Sequence, residues 1–186
     1  MQIETERLLL RDFTLKDVEA LAACRADERY WRFYNLVDDI EANAREHIEL
    51  FVRWQEQQPR THFQLAIVLR QTGRLIGNCG LRQGAQVFHR SPDASEAELG
   101  YELDPFHWGN GYATEAARAM VAYGFQTLGL HRVFASCLGD NEASWRLMER
   151  LGMRREGVLR AQADLRGLMV DTYLYGLLKE EWKSQL

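Results

Sequence analysis

Glu96–Leu128 reads EAELGYELDPFHWGNGYATEAARAMVAYGFQTL and divides into three parts. Glu96 to Leu103 reads as a strand. Pro105 stops it, because proline has no N–H to donate and pushes Asp104 away from helical geometry. Gly109-Asn110-Gly111 follows, and from about Ala113 the residues Ala113, Ala117, Met120, Gly124, Phe125 and Leu128 recur at helical spacing. A strand, a glycine turn and a helix start make one physical object. The helix's first turn has backbone N–H groups with no internal partner, and its dipole adds partial positive charge. Glycines permit positive φ and close approach. The expected result is an anion cradle suited to phosphate; a strand-to-helix turn without a ligand is the alternative.

The cradle does not fit two familiar phosphate loops. A dinucleotide fold wants Gly-x-Gly-x-x-Gly, and Trp108 to Ala113 lacks the third glycine. A nucleoside-triphosphate loop wants Lys-Ser/Thr after its last glycine, where this chain has Tyr112-Ala113. Trp108-Gly109-Asn110-Gly111-Tyr112-Ala113 resembles instead the pyrophosphate loop of the GNAT superfamily of N-acetyltransferases, Gln/Arg-x-x-Gly-x-Gly/Ala. Trp108 in the first position is typical of the ribosomal-protein N-terminal acetyltransferase (RimJ/RimL-like) subgroup, with its WGxGYATEA. The opening segment TERLLLRDFTLKDVEAL, from Thr5, resembles the start of the same subgroup. A third likeness is Asn141-Glu142-Ala143-Ser144 followed by Leu151-Gly152-Met153, in the place of the superfamily's Nxx(A/S)…LYEKLGF.

Composition agrees with one soluble domain over residues 1–186. The net charge of −4 argues against a partner held through nucleic-acid phosphates and permits a cationic one. No apolar run approaches the roughly 20 residues a membrane helix needs. MQIETERLLL has acid where a signal peptide would have base, so a cytoplasmic location is expected. Cys24, Cys79 and Cys137 have neither metal-ligand nor redox spacing. They read as small buried apolar residues, and no metal is expected.

Taken in order, Ile3 to Phe13 reads as one strand, and Thr14 and Asp17 open a helix continued by Val18, Leu21 and Ala22. Arg29 to Leu36, RYWRFYNL, is aromatic and basic, and either packs the end of that helix or lines a substrate mouth. A second helix spans Asp38 to Gln57, with Pro59 beyond it. Strands follow at His62 to Leu69 and Leu75 to Leu81, with Gly77 and Gly80 signalling a bulge or a close neighbour. Gln83 to Ser95 reads as a loop. After the central stretch come a strand at His131 to Leu138 and a helix closed by Gly152. Two last strands, Met153 to Arg160 and Leu168 to Leu178, are joined by a polar loop around Ala163 to Gly167. The order is mixed α/β and matches the superfamily's: a twisted, mostly antiparallel mixed sheet with helices on both faces.

The resemblance implies the site. Backbone groups from Trp108, Gly109, Asn110, Gly111, Tyr112, Ala113 and Thr114 would hold the pyrophosphate of acetyl-coenzyme A, and Asn141 its pantetheine arm. Leu103, at the end of a disrupted strand, would offer main-chain groups to that arm and an N–H to the thioester oxygen, often the largest catalytic contribution. The tyrosine that often protonates the leaving thiolate is replaced by Met148, and Ser144 stands where a serine is proposed to serve. The acceptor would be a primary amine: the N-terminal α-amino group of a protein or peptide, or a small molecule. An α-amino group, with a reference pKa of about 7.7–8.0, must lose a proton before it attacks. By strand alternation Glu96, Glu98 and Glu102 share one face, and Glu102, then Glu98, are the candidate bases. A non-catalytic acyl-coenzyme A sensor is the alternative class. A homodimer is an expectation from the family alone.

Overall fold

The computed structural model describes residues 1–84 and 95–183. Eight strands form one sheet in the order β1-β2-β3-β4-β5-β6-β8-β7. They are β1 (Gln2–Glu4), β2 (Leu8–Asp12), β3 (His62–Leu69), β4 (Leu75–Gln83), β5 (Glu96–Leu103), β6 (Arg132–Leu138), β7 (Arg154–Leu165) and β8 (Leu168–Leu178). The helices are α1 (Val18–Arg25), α2 (Ile40–Gln55), α3 (Tyr112–Gln126), α4 (Glu142–Arg150) and α5 (Lys179–Lys183). Every neighbouring pair is antiparallel except β5 and β6. The expected mixed, mostly antiparallel sheet is therefore observed.

Alternation along β3 sends Leu65 and Ile67 to one face and Ala66 and Val68 to the other. Leu65 and Ile67 join Ala116, Met120 and Phe125 of α3 and Leu147 and Met148 of α4 in one core. Ala66 and Val68 join Val18 and Leu21 of α1 and Ala44, Ile48 and Phe51 of α2 in the other. Both faces are covered, which explains why β3 reads as a nearly continuous apolar run.

Several boundaries differ from the sequence reading. The single strand expected over Ile3–Phe13 is a hairpin, with Gln2 opposite Arg11 and Glu4 opposite Leu9. Its turn, Thr5-Glu6-Arg7, has no glycine or proline to announce it. Tyr30–Phe33 forms a single 3₁₀ turn. β7 extends through the loop expected near Ala163, and the hairpin turns on Arg166 and Gly167 alone, at φ 56° and 82°. Two positive φ values define the tight turn whose twist suits a hairpin. α5 follows β8 directly, and its Trp182 packs into the α3-side core. The 85–94 part of the loop expected between Gln83 and Ser95 lies outside the described residues.

Candidate active site

β5 and β6 pair only from Glu96 opposite Arg132 to Glu98 opposite Phe134. Beyond that point β5 stays with β4 as far as Leu103 opposite Gly77, while β6 follows β8 as far as Leu138 opposite Thr172. The sheet opens into a wedge. The disruption expected near Leu103 takes the form of a splay: β6 departs, while β5 itself stays regular against β4. The Asp104 N–H donates to the Ile76 carbonyl at 2.8 Å, which sets the phase of the ladder. Alternation then turns the main-chain groups of Leu103 and Tyr101 toward the open side. The Leu103 carbonyl accepts the Trp108 indole N–H at 2.8 Å. A cleft of about 1640 Å³ runs through the wedge and is lined from both faces of β5.

On the α3–α4 face lies the glycine loop. Asp104 caps the 3₁₀ turn Pro105–His107 by accepting the Phe106 N–H at 3.0 Å. Gly109 and Gly111 have φ of 78° and 77°, values that side-chain-bearing residues avoid. A Cβ at Gly109 would meet nothing within 4 Å, so the loop is open where a ligand would lie. The Asn110 side chain turns inward, donating to the carbonyls of His107 (3.2 Å) and Trp108 (3.0 Å). The first helical bond of α3 is Glu115 N–H to Gly111 O at 3.0 Å. The N–H groups of Tyr112, Ala113 and Thr114 therefore lie in the unpaired first turn. Trp108 has a physical role in place of the usual Gln or Arg: its indole ties the loop to the end of β5. These residues fit a diphosphate.

Asn141 caps α4, its Oδ1 accepting the Ser144 N–H at 3.2 Å. The Ser144 hydroxyl lies 2.8 Å from the Tyr101 hydroxyl, which also donates to the Ser144 carbonyl at 3.1 Å. Burial pushes the Tyr101 pKa up, so this pair stays protonated. Met148 is 1% exposed and belongs to the core. Cys24 and Cys79 are buried as expected, whereas Cys137 is half-buried on the cleft wall.

The opposite face of β5 carries the carboxylates. Glu102 Oε1 accepts Arg25 Nη2 at 2.6 Å and the Asn78 amide, and Oε2 accepts the Tyr30 hydroxyl. Burial alone would raise the Glu102 pKa. The Arg25 charge and these three donors outweigh it and hold the carboxyl below its usual range. Arg25 is 2% exposed, so this ion pair is interior. Its Nη1 reaches Asn43 Oδ1 at 2.7 Å and His47 Nδ1 at 2.8 Å. A guanidinium can only donate, so His47 accepts at Nδ1 and carries its proton at Nε2. Burial and then the Arg25 charge lower the His47 pKa. Glu98 meets Arg82 Nη2 at 3.1 Å near the mouth.

Gly80 and Gly100 are opposed between β4 and β5. They form a floor under two long side chains: a Cβ at Gly80 would lie 2.5 Å from Gln64 Oε1, and one at Gly100 2.6 Å from Arg82 Nη2. Gln64 is thus the close neighbour that Gly80 announces. The rim is closed by the β7–β8 hairpin. Arg166 donates to the Trp31 carbonyl and, at 3.3 Å, to the Tyr34 carbonyl, while its N–H meets Asn35 Oδ1 at 3.0 Å.

The structure gathers Glu98, Glu102, Leu103, the loop residues Trp108, Gly109 and Gly111 to Thr114, Asn141 and Ser144 along one cleft, whereas Asn110, expected in the set, does not line it. Sequence reading did not single out Arg25, Asn78, Gln64 or Tyr101. The only sequence signal for Arg25 was an arginine on the apolar side of its helix, beside Leu21 and Cys24.

Comparison with known proteins agrees with this geometry. The Acetyltransferase (GNAT) domain family matches residues 7–154. A protein of Bacillus subtilis (strain 168), the uncharacterized N-acetyltransferase YoaA, is 38% identical over 179 residues, covering 95% of this chain and 96% of that one. A GNAT-family acetyltransferase structure from Bacillus anthracis superposes with a TM-score of 0.78 at 29% identity, covering 97% and 99% of the two chains. The ribosomal-protein-S5-alanine acetyltransferase of Vibrio fischeri reaches a TM-score of 0.81 at 19% identity over 98% of both chains, a likeness of fold.

Proposed function

The chain belongs to the GNAT family of acetyltransferases, and we propose that it transfers the acetyl group of acetyl-coenzyme A to a primary amine by direct attack in a ternary complex. The observation that carries this reading is the wedge between β5 and β6. It joins an anion cradle on one sheet face to a carboxylate-lined pocket on the other. The main-chain N–H groups after Gly111 would hold the diphosphate, with Asn141 beside the arm. The Leu103 N–H, turned to the open side, would face the carbonyl that gains negative charge. The cosubstrate supplies the activated acyl group, and the chain's own residues orient it, exclude water and move protons.

On the acceptor side the two carboxylates divide the work. Glu102 is held ionised and has a low proton affinity. A carboxylate accepts about four hydrogen bonds, and three donors reach Glu102 from Arg25, Asn78 and Tyr30. The remaining acceptor position suits an incoming ammonium. Glu98, at the mouth, would pass the amine's proton to water. The Tyr101–Ser144 hydroxyl pair would donate a hydrogen bond to the departing thiolate, since burial makes Tyr101 too weak an acid to give up its proton. That help is modest, because a thiol of pKa about 8.5 is a fair leaving group.

For the acceptor we favour the α-amino group of a protein or peptide. The subgroup-like motifs support this, as does a partial match to the Escherichia coli [ribosomal protein uS5]-alanine N-acetyltransferase, 31% identical over 84 residues. No described helix is long and apolar enough to cross a membrane, and the described residues contain no group suited to a metal ion. The test is thiol release from acetyl-coenzyme A with peptides of varied N-termini beside polyamines and aminoglycosides. Turnover with N-terminal peptides supports the reading, turnover only with small amines moves the acceptor class, and calorimetry showing no coenzyme A binding overturns the whole reading.

A further inference from the structure

Two motifs far apart in the chain meet at the cradle. Glu115 stands in the first turn of α3, and its Oε1 accepts the Thr5 hydroxyl at 2.6 Å and the Arg7 main-chain N–H at 2.9 Å. Its Oε2 accepts Arg7 Nε at 2.6 Å across 108 positions of sequence. Arg7 Nη1 donates to the Asn110 carbonyl at 3.0 Å, and its guanidinium lies over the Tyr112 ring, 4.6 Å from the centroid. A Cβ on Gly111 would sit 3.5 Å from Arg7 Nη2. The β1–β2 turn therefore grips the loop at Asn110 and Tyr112 and the helix at Glu115.

This arrangement answers an electrostatic problem. A carboxylate in the first turn stabilises a free helix, because it complements the dipole. It has the wrong sign for a helix start that must hold a diphosphate. Burial would raise the Glu115 pKa, but Thr5 and Arg7 together lower it, so Glu115 stays charged at working pH.

We propose that Arg7 is a positioning residue of the cofactor cradle. It cancels the Glu115 charge beside the phosphate site, and it holds the Asn110 carbonyl outward so that the loop's N–H groups face the ligand. The proposal rests on the acetyl-coenzyme A reading above. It also gives the sequence pair Thr5-Glu6-Arg7 and Ala113-Thr114-Glu115 a shared purpose.

The test is calorimetric binding of free coenzyme A to the full chain and to Arg7→Ala, Glu115→Gln and the double variant, with thermal melting as a check on folding. Arg7→Ala should weaken binding roughly tenfold or more, the scale of one uncompensated charge near a diphosphate at intermediate dielectric. Glu115→Gln alone should tighten binding, by up to a similar factor, since it leaves the Arg7 charge uncompensated beside the diphosphate. The double variant should regain most of the affinity that Arg7→Ala loses, at no higher melting temperature. A purely structural arginine would show no such rescue. Should Arg7→Ala fail to fold, Arg7→Lys replaces it: it keeps the charge but not the fork, and should lose less affinity than Arg7→Gln. Wild-type affinity in Arg7→Ala, or a loss that persists in the double variant, overturns the latch and leaves the acetyltransferase reading intact. Absence of coenzyme A binding by the wild type overturns both.

Discussion

On the α3–α4 face of β5 the chain presents main-chain N–H groups shaped by two glycines. On the α1–α2 face it presents side chains brought together from α1, α2, β3, β4, β5 and the Tyr30 turn. The first meets its ligand through the main chain, with side chains such as Arg7 and Trp108 holding the loop from behind, so its grip is generic and suits a ligand that does not vary. The second is a buried polar network in which each member fixes the next. Glu102 can only accept, so the Asn78 amide must donate to it. The Asn78 Oδ1 is then free to accept Gln64 Nε2 at 2.6 Å, and Gln64 Oε1 is left buried without a hydrogen-bond partner. Such a network specifies one arrangement, and it is costly to break in part.

The sharpest way to break this contrast is to damage each face separately. Replacing Arg25 by Met strands an ionised Glu102 and should cost about 3–5 kcal/mol of stability by chemical denaturation. Arg25→Met combined with Glu102→Leu should recover much of that loss, because an apolar pair is often no worse than a buried ion pair. Gly109→Ala, by contrast, should cost only about 1–2 kcal/mol, the strain of a side chain at positive φ. It should nonetheless weaken coenzyme A binding measurably in calorimetry, because its methyl enters the open loop. Equal damage to fold and binding in both variants would erase the distinction.

Acid should also act mainly on the acceptor face. The folded pKa of His47 lies below its reference of 6.5, so the unfolded chain takes up its proton first. Stability therefore falls as pH drops below 6.5, by at most about 1.4 kcal/mol per pH unit for one proton. His62 is lowered too, by burial and Arg82, and adds to the slope. Glu102 works in the same direction lower down: its stabilisation is present above its reference of 4.5 and is lost as pH falls through its folded value. Denaturation midpoints from pH 7 to pH 5 should fall for the wild type and fall less for His47→Gln.

The smallest effect concerns the cofactor face. Burial pushes the Cys24 and Cys79 thiols up to about 12, whereas Cys137 lines the cleft. Maleimide should label Cys137 first, and coenzyme A should slow that labelling. Equal labelling of the three cysteines, read by peptide mass, would contradict the placement.

The same contrast explains what could be read from the sequence. The cradle is a local object: Pro105, Gly109 and Gly111 act through their own backbones within a few residues, so their spacing carries the information. The shared face of Glu98 and Glu102 follows from alternation for the same reason. The partners of Glu102 do not: Arg25 is 77 positions away and Tyr30 72, and no local pattern records such a pairing. The β1–β2 turn was hidden because Ile3 and Leu8 to Leu10 supply apolar residues on both sides of a polar triplet that also suits a strand. The end of β7 was hidden by its polarity. Ala161 at φ 50° interrupts the pairing, and the Asp171 carboxylate catches its N–H at 2.8 Å, so the strand persists where composition suggests a loop.

The short contact between β5 and β6 has a mechanical consequence. Three rungs join two half-sheets that are otherwise long and well laced, so the molecule resembles a book whose spine is stitched only at one end. A guest whose amide groups fill the unstitched length acts as missing thread. Hydrogen exchange at Tyr101 and Leu103 should then slow in its presence, while the margins at β1 and β7 keep their own pace.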